Sequence, residues 1–380
     1  MSVRVRDLAA LFTARRDSML SDLEALVVRE SPSGDPSLVG ELARWIAARL
    51  GRAGVAASCV PCAGRGHALR AQIGPERGGA LLLGHLDTVW PAGTLAGNPF
   101  RIENGVARGP GVFDMKGGIA VAIALLEAVA RGDVTSAEGL TLLLTPDEEV
   151  GSHASRDLLV GEALKRDRVF VLEPSGDGGA AKIARKGTGL VTVRFSGVAA
   201  HAGLEPEKGA SALLEMSRFA LLADTLQDRA AGTSIVPTVA ASGTTTNVVP
   251  EHATLSVDFR LWTRAEGERV LAGLRAYRPA NGRVVVTIEG GVNRPPMEST
   301  EASLALYRRA AVLAETLGFP LPALRVGGAS DGNFTASAGV PTLDGLGPSG
   351  AGAHARTEHL LVEDLPRRAA LLAGLLEGAA

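Results

Sequence analysis

Acidic and histidine side chains recur in this sequence where short apolar segments end. His85 and Asp87 follow GALLLG, Glu148 and Glu149 follow LTLLLTPD, and Glu173 follows RVFVL. Residues two apart on a strand point to the same face, so one of His85 and Asp87 can bind a metal ion while the other orients it. Adjacent residues on an extended chain point in different directions. Glu148 and Glu149 can therefore take separate roles, one at a metal ion and one facing a substrate.

Asp114 and His354 extend this set from two glycine-rich segments, GPGVFDMKGG and GPSGAGAHARTEH. Any one of these residues alone is more typical of a polar group in a loop or at a helix start. Their recurrence at consecutive strand ends is different. Carboxylates buried together without a metal ion repel one another and lose hydration, which costs several kcal/mol per ion.

Charge counting predicts a site for two divalent metal ions. Two such cations bring four positive charges, three carboxylates remove three, and a bridging hydroxide removes the last. Mixed nitrogen and oxygen ligands favour zinc, with cobalt or manganese as substitutes. We therefore predict two Zn²⁺ ions per subunit, with Co²⁺ or Mn²⁺ possible. The predicted ligands are His85, Asp114, Glu149, Glu173 and His354.

The elements that position these residues predict an α/β fold. From residue 1 to about 184, amphipathic helical patterns alternate with uniformly apolar strands. This pattern predicts a mixed, mostly parallel sheet covered by helices on both faces. Ligands of open α/β sheets bind at the carboxyl ends of the strands, which is where the polar clusters lie.

The middle of the chain has a different order of elements. Between LVTVRFSG and RVVVTIEGG the patterns run strand, helix, strand, strand, helix, strand, which predicts an inserted ferredoxin-like α+β unit. After Pro295 and Pro296 the first pattern returns. We predict a catalytic domain made of residues 1–184 and 296–380, interrupted by a lid and dimerisation domain of residues 185–295.

Composition and charge narrow the class of function. The 380 residues are 46% hydrophobic and 21% charged, which is typical of a globular protein with more than one core. The formal net charge of -2 provides no broad basic surface for nucleic acid or acidic lipid, so the predicted partner is a small molecule. Charges interrupt every apolar run before it reaches the length of a signal-peptide core or the roughly 20 residues of a membrane span. We predict a cytoplasmic protein.

Cys59 and Cys62 form a C-x-x-C pattern in the strand-like segment VAASCVPCAG. No second cysteine pair and no following helix accompany it, so two incidental thiols are a better interpretation than a redox or zinc site. This use of cysteine agrees with a cytoplasmic location.

The motifs together resemble the zinc-dependent exopeptidase family that includes bacterial glutamate carboxypeptidase, N-acetylornithine deacetylase and succinyl-diaminopimelate desuccinylase. The resemblance covers nearly the whole chain and rests on GHLDTV, GPGVFDMKGG, TPDEEVGS, LEP, AAHAG, NVVPEHATLSVDFR and GPSGAGAH in the family's order.

The resemblance implies a role for each residue at the metals. It pairs His85 with Glu173 at one ion and Glu149 with His354 at the other, with Asp114 bridging them. It also implies that Asp87 orients His85, that the peptide after Asp114 is cis, and that Glu148 is the general base. Glu148 takes a proton from the bridging water and passes it to the leaving nitrogen of an amide.

The resemblance also implies roles for lid residues. His201 stabilises the oxyanion, in some relatives from the partner subunit. Asn247 and Arg260 form a clamp for the substrate carboxylate, to which the planar fork of arginine is suited. Arg294, at the exit from the lid, is a further candidate for substrate binding. A homodimer through the lid is implied as well, since an exposed edge strand invites pairing.

Three functions are compatible with these residues. The first is a glutamate carboxypeptidase-like enzyme that releases an amino acid from a peptidyl or N-acyl substrate. Glu rather than Asp at position 173 resembles the carboxypeptidase and deacylase branch of the family more than its dipeptidase branch. A further cation for a glutamate side chain has three candidates, Lys182, Arg185 and Lys186. The second is a deacetylase or desuccinylase of amino-acid biosynthesis. The third is a catalytically inactive protein that binds an amino-acid derivative, and the complete ligand set argues against it.

Overall fold

The structure is a computed structural model that describes residues 3–135 and 139–378. It divides into two units. The first comprises the chain up to Ala184, Ser299–Val326 and the chain from Ser330 onward, and the second comprises Arg185–Glu298 with Gly327–Ala329. The catalytic and lid roles assigned to residues 1–184 with 296–380 and to residues 185–295 stay predictions.

Three helices and a run of strands open the first unit, and helices and strands alternate only from α4 (Gly117–Ala130) onward. The helices are α1 (Val3–Ala14), α2 (Arg16–Val27), α3 (Pro36–Gly51), α4 (Gly117–Ala130) and α5 (Arg156–Ala163). The strands are β1 (Ala56–Cys62), β2 (Gly66–Ile73), β3 (Ala80–His85), β4 (Arg101–Glu103), β5 (Val106–Arg108), β6 (Leu140–Thr145), β7 (Arg168–Val171) and β8 (Ala181–Arg185). Local signals set these bounds. At α3, for example, the Asp35 carboxylate accepts the backbone N–H groups of Ser37 and Leu38.

The second unit contains one four-stranded antiparallel sheet and two helices. Its elements are β9 (Gly187–Ser196), α6 (Ala212–Thr225), β10 (Ser234–Ser242), β11 (His252–Leu261), α7 (Arg264–Arg275) and β12 (Val285–Arg294). The strands lie in the order β10, β11, β9, β12. This is the predicted order of elements, and the apolar residues of the helices pack with alternate residues of the strands.

The rest of the chain completes the first unit. Its elements are α8 (Glu301–Thr316), β13 (Ala323–Val326), α9 (Gly332–Ser337), β14 (Thr342–Leu343), β15 (Gly350–Ala351), β16 (His359–Leu361) and α10 (Asp364–Glu377). β13 pairs with β8, and β15, β16, β5 and β4 form a small sheet.

The central sheet of the first unit has the strand order β1, β2, β6, β3, β7, β14. β6, β3, β7 and β14 run parallel, while β1 and β2 form an antiparallel hairpin at one edge. The predicted mixed and mostly parallel sheet is confirmed.

Helices cover both faces of this sheet because its strands are apolar on both sides. All six residues of β3 are buried. Leu82 packs into the core that contains α3, α4 and α10, whereas Leu81 and Leu83 pack into the core that contains α5 and α9. Successive side chains of a strand point to opposite faces, so one short apolar run serves both cores.

Within residues 3–135 and 139–378, no helix is both long enough and apolar enough to cross a membrane.

Cys59 and Cys62 are free thiols, and burial raises the pKa of both. They lie three residues apart on β1, so they point to opposite faces and do not share a site.

Candidate dinuclear metal site

Three of the predicted ligands lie together because their strands run parallel. β6, β3 and β7 are neighbours in the sheet, so their carboxyl ends meet at one edge. His85 is the last residue of β3, Glu149 lies in the turn after β6, and Glu173 lies just beyond β7.

Asp114 and His354 reach the same edge from loops. Asp114 lies in an irregular turn, Val112–Lys116, which leads into α4, and the peptide bond between Asp114 and Met115 is cis. His354 lies between β15 and β16 with a φ angle of 63°, in the left-handed region that few residues other than glycine adopt.

The two oxygens of Asp114 face two different histidines. Oδ1 lies 3.2 Å from Nε2 of His85, and Oδ2 lies 3.3 Å from Nε2 of His354. Each histidine has a second carboxylate beside it. Glu173 Oε1 is 3.5 Å from the His85 ring nitrogen, and Glu149 Oε1 is 3.2 Å from that of His354. The structure thus brings together all five predicted ligands, as two histidine–carboxylate pairs about a shared carboxylate.

Glu148 belongs to the same cluster. Potential ligand atoms of His85, Glu148 and Glu173 lie within 4.8 Å of one another, as do those of His85, Asp114 and Glu149. Glu148 therefore lies close enough to act on a group held between these side chains.

Asp87 holds the site together through its main chain and its side chain. Its carbonyl oxygen lies 2.9 Å from Nδ1 of His85, nearer than its carboxylate at 3.6 Å, so the main chain orients the ring and turns Nε2 toward Asp114. The Asp87 carboxylate accepts the backbone N–H groups of Glu148 (3.0 Å) and Glu149 (3.2 Å) and the hydroxyl of Ser33 (2.7 Å). Sequence reasoning missed Ser33 and the second task of Asp87, because both depend on a distant loop.

The cluster is strongly polarised. Burial opposes a charge on His85, but hydrogen bonds with Asp114, Asp87 and Glu173 outweigh it and raise the pKa of the ring well above its usual range. The neighbouring carboxylates of Asp114 and Glu149 raise the pKa of His354 to about 10. The same two histidines hold the pKa of Asp114 below its usual range against the effect of burial. The carboxylates thus favour positive charge between them.

The donor set fits divalent metal ions. Glu149 Oε1 is buried and has no hydrogen bond of proper geometry among residues 3–135 and 139–378, although His354 lies 3.2 Å away. A buried carboxylate oxygen without a donor is costly unless a cation faces it. Two imidazole nitrogens and several carboxylate oxygens are ligands that zinc, cobalt and manganese accept.

Glu358 is a second residue that the sequence analysis missed. Its Oε1 accepts the backbone N–H groups of Phe113 (2.9 Å) and Asp114 (3.0 Å). Its Oε2 accepts the backbone N–H of Gly111 (2.9 Å) and the indole N–H of Trp90 (2.7 Å). Its position four residues after His354 was a possible signal, but an acid in a glycine-rich loop is ordinarily exposed.

The lid candidates lie in the second unit. His201 is exposed, and its Nδ1 accepts the backbone N–H groups of Gly203 and Leu204 at 3.1 Å. In the neutral ring the proton therefore lies on Nε2, which is left as a donor. Asn247 lies beside it, because the Asn247 carbonyl accepts the backbone N–H of Ala202.

Asn247 and Arg260 lie at opposite ends of one strand pairing, so a single subunit does not bring them together, and their joint role as a clamp stays a prediction. Gly187–Ser196 pairs with His252–Leu261 along its whole length, and the pairing continues from Gly197 with Glu251 to Ala202 with Asn247. Arg260 lies near the opposite end of this ladder. At about 3.3 Å per residue, eight residues from His252 to Arg260 already span about 26 Å, farther than both side chains reach.

Arg260 and Arg294 instead lie at one end of the sheet. Both are in register with Thr188, which separates them. The Nε and Nη2 atoms of Arg260 donate to the Asp258 carboxylate at 2.8 and 2.9 Å, so one edge of the guanidinium is engaged. Arg294 is buried.

The three candidate cations for a glutamate side chain differ in their surroundings. Lys182 forms main-chain hydrogen bonds with Asp344 at the edge of β8. Arg185 is buried and donates to the Gly328 carbonyl. Lys186 donates to the Gly232 carbonyl and lies over the Trp262 ring. Of these, Arg185 and Lys186 are engaged within the second unit.

Comparison with known proteins agrees with this geometry. Residues 81–378 match the model of peptidase family M20/M25/M40. Carboxypeptidase G2 of Pseudomonas sp. (strain RS-16) is 32% identical over 382 residues, which cover 96% of this chain and 91% of that protein. Succinyl-diaminopimelate desuccinylase of Alkalilimnicola ehrlichii is 29% identical over 325 residues, which cover 81% of this chain and 85% of that protein.

Solved structures share the fold. Aminopeptidase PepT from Bacillus cereus superposes with a TM-score of 0.79 at 22% identity, covering 95% of this chain and 98% of that one. The M20 family metallo-carboxypeptidase Sso-CP2 from Sulfolobus solfataricus superposes with a TM-score of 0.69 at 16% identity, covering 94% of this chain and 98% of that one.

Proposed function

The chain belongs to peptidase family M20/M25/M40, and we propose that it is a two-metal carboxypeptidase resembling its relative carboxypeptidase G2. It is a metal-dependent peptidase or amidohydrolase, as the family match and the carboxypeptidase G2 relative establish. The bond cut is an amide beside a free carboxylate, in a small N-acyl or peptidyl amino acid. The observation that carries the proposal is the carboxylate of Asp114, whose oxygens face two histidine–carboxylate pairs at 3.2 and 3.3 Å.

We assign the metal ligands from these contacts. His85 and Glu173 hold one ion, Glu149 and His354 hold the other, and Asp114 lies between the pairs. The mixed nitrogen and oxygen donors support zinc, with cobalt or manganese as substitutes. When bound, the metal ions polarise the amide carbonyl and lower the pKa of water.

Glu148 is the proposed general base. The Asp87 carboxylate holds its main chain at 3.0 Å, which fixes the start of the turn that carries it. Its carboxylate takes a proton from the attacking water and delivers it to the leaving nitrogen. Glu149 differs by one position and faces His354, so the adjacent carboxylates take separate tasks.

We propose that the second unit supplies the groups that recognise substrate. The Nε2–H of His201 is a donor for the oxyanion that forms at the carbonyl carbon. Arg260 is positioned by Asp258 through two hydrogen bonds and keeps its other guanidinium edge for a carboxylate. Arg294, two strands away in the same register, adds positive charge at that end of the sheet.

A homodimer through this unit agrees with the separation of His201 and Asn247 from Arg260. The two ends of one ladder can serve two different sites, so a complete site draws on two subunits. Helix α6 supports the proposal, because Leu214 and Leu221 are 57% and 70% exposed and lie seven residues apart on one face. Pro237 and a register shift interrupt the neighbouring edge strand β10, which favours the helix as the contact.

We also propose a cellular location and a second candidate function. Free thiols at Cys59 and Cys62 support a cytoplasmic location. The similarity to succinyl-diaminopimelate desuccinylase supports an N-acyl-amino-acid deacylase as the second candidate function. The two candidates differ in which side of the amide carries the larger group.

A substrate panel tests the proposal. Metal-stripped protein with zinc added back is given N-acetyl, N-benzoyl, N-succinyl and dipeptide forms of glutamate and other amino acids. We expect zinc-restored release of a C-terminal amino acid. Glu148→Ala reduces kcat by about 10²- to 10⁴-fold with metal content unchanged, whereas Glu103→Ala, at an exposed glutamate, leaves it as in the wild type. Cleavage of N-succinyl substrates alone would select the deacylase, and no cleavage at all would reject both.

A further inference from the structure

Glu358 connects the two loops that carry Asp114 and His354. It lies four residues after His354, and its carboxylate accepts the backbone N–H of Asp114 at 3.0 Å. Only 1% of Glu358 is exposed. Its own segment is tightly folded, since the N–H of Glu358 donates to the Ala355 carbonyl and that of Ala355 donates to Gly352. A shift of either loop is therefore passed to the other through one side chain.

The turn that carries Asp114 needs a hydrogen-bond acceptor from another part of the chain. Its backbone is irregular, with φ and ψ of -113° and 96° at Asp114 and a left-handed Gly111. These dihedrals do not support a helical hydrogen-bond ladder. The Glu358 carboxylate instead accepts the backbone N–H groups of Gly111, Phe113 and Asp114 at 2.9 to 3.0 Å. Buried N–H groups left without an acceptor are costly, so this carboxylate stabilises the turn in one conformation.

We propose that Glu358 is a positioning residue for the dinuclear centre. It sets the bridging carboxylate of Asp114 and the His354 ring at the separation that two metal ions require. It acts through backbone N–H groups and does not itself bind metal or substrate. The inference rests on the proposed function for its effect on catalysis, but its effect on metal binding stands independently.

The chemistry of the four donors makes one substitution diagnostic. The four groups that hydrogen-bond to the Glu358 carboxylate are all N–H donors, including the Trp90 indole at 2.7 Å. A glutamine keeps the shape but turns an N–H₂ group toward donors, so Glu358→Gln separates acceptor chemistry from size. Glu363→Gln is the matched control, because that side chain is 63% exposed and pairs with the neighbouring Arg367.

The experiment measures zinc affinity by chelator competition, and melting temperature with and without zinc. We expect Glu358→Gln to weaken zinc binding about 10- to 100-fold and to shrink the rise in melting temperature that zinc produces. On an active substrate of the panel, kcat falls about 10-fold or more while KM changes little. Glu363→Gln matches the wild type in all of these.

A merely structural role gives a different result. Glu358→Gln would then lower the melting temperature equally with and without zinc, and leave zinc affinity and kcat unchanged, which would overturn the proposal. Where Glu358→Gln does not fold, Glu358→Asp and Trp90→Phe replace it. The proposal expects intermediate zinc affinity for the first and near-wild-type affinity for the second, and wild-type affinity for Glu358→Asp would contradict it. An intact zinc response without any substrate cleavage rejects the proposed function alone.

Discussion

The two units place their functional residues in opposite ways. In the first unit, β3 is buried at all six positions and ends at His85, whose ring is oriented by the carbonyl of the buried Asp87. In the second, β12 is buried only at Arg294, and His201 is exposed. The first unit thus holds most of its candidate site by packing, although the His354 side chain is 50% exposed. The second unit presents its candidate residues from an antiparallel sheet with one exposed face.

This difference separates two tasks. A metal site needs ligands fixed to a fraction of an ångström, which a doubly covered parallel sheet provides. Substrate recognition needs access, which the exposed face of an antiparallel sheet provides. Substitutions in the first unit should therefore alter metal binding, and substitutions in the second should alter substrate handling or association with metal binding intact.

The largest effect is expected at Asp114, the residue that both histidine–carboxylate pairs share. Asp114→Asn leaves the size of the side chain but removes a charge that faces His85 and His354. We expect kcat/KM to fall by about 10³-fold, or about 4 kcal/mol, with zinc content well below that of the wild type. Metal analysis and steady-state kinetics measure both. Full zinc content with full activity would contradict the assignment of Asp114 as the bridge.

Arg260 tests the proposed role of the second unit in substrate binding. Arg260→Ala removes the guanidinium that Asp258 positions, and we expect kcat/KM to fall by about 10²-fold, mainly through KM. Zinc affinity stays as in the wild type. Arg260→Lys keeps the charge but not the planar fork, so it restores only part of the loss. A loss of zinc in Arg260→Ala would contradict the assignment of metal binding to the first unit and substrate handling to the second.

Much of the fold was predictable because it is encoded locally. ALLLG is apolar without interruption, and the sheet buries it on both faces. The order of elements in the second unit followed from hydrophobic periodicity. Helix boundaries depend on local caps. The apolar pattern of EKGASALLEMSRFALLADTLQD predicts a helix from Glu207, but Glu207 and Lys208 lie in a separate turn and α6 begins after Ser211, whose side chain caps it.

The ligands that lie in recognisable sequence patterns were predictable. His85 and Glu173 follow apolar runs, and Asp114 and His354 lie in the glycine-rich segments GPGVFDMKGG and GPSGAGAHARTEH. The role of Glu358 could not be inferred, because its partners at Gly111–Asp114 lie more than 240 residues away. The separation of Asn247 from Arg260 was equally hidden, since thirteen residues of sequence do not reveal that an antiparallel ladder extends between them.

Glu215 tests how the second unit is stabilised. It is fully buried in α6, and its carboxylate accepts the Tyr277 hydroxyl and the backbone N–H groups of Ala280 and Asn281. We expect Glu215→Gln to destabilise the second unit by about 1–3 kcal/mol, because an amide presents N–H groups to donors. Zinc affinity stays unchanged. Denaturant unfolding measures the loss, and fluorescence of Trp262 reports on this unit.

The loss at Glu215 should depend on pH with a definite sign. Burial raises the pKa of Glu215, but hydrogen bonds from Tyr277, Asn281 and Ala280 outweigh it and hold the pKa below the ordinary 4.5. A carboxylate with a lowered folded pKa contributes its stability above the unfolded value and loses it as the pH falls through the folded one. The difference between wild type and Glu215→Gln is therefore complete above about pH 4.5 and shrinks at lower pH. A difference that grows on acidification would contradict this account.

The smallest effect on a single subunit is expected at the exposed face of α6. Leu221 is 70% exposed, so Leu221→Asp changes the stability of one subunit by no more than about 0.5 kcal/mol. In a dimer formed through α6 the same change buries a charge, and we expect the dissociation constant to rise at least about tenfold by sedimentation analysis. Leu164→Asp is the matched control, because Leu164 of the first unit is 57% exposed. If His201 and Asn247 act across subunits, activity of Leu221→Asp falls with dilution while zinc content does not. Activity that stays constant from dimer to monomer would show that one subunit is sufficient.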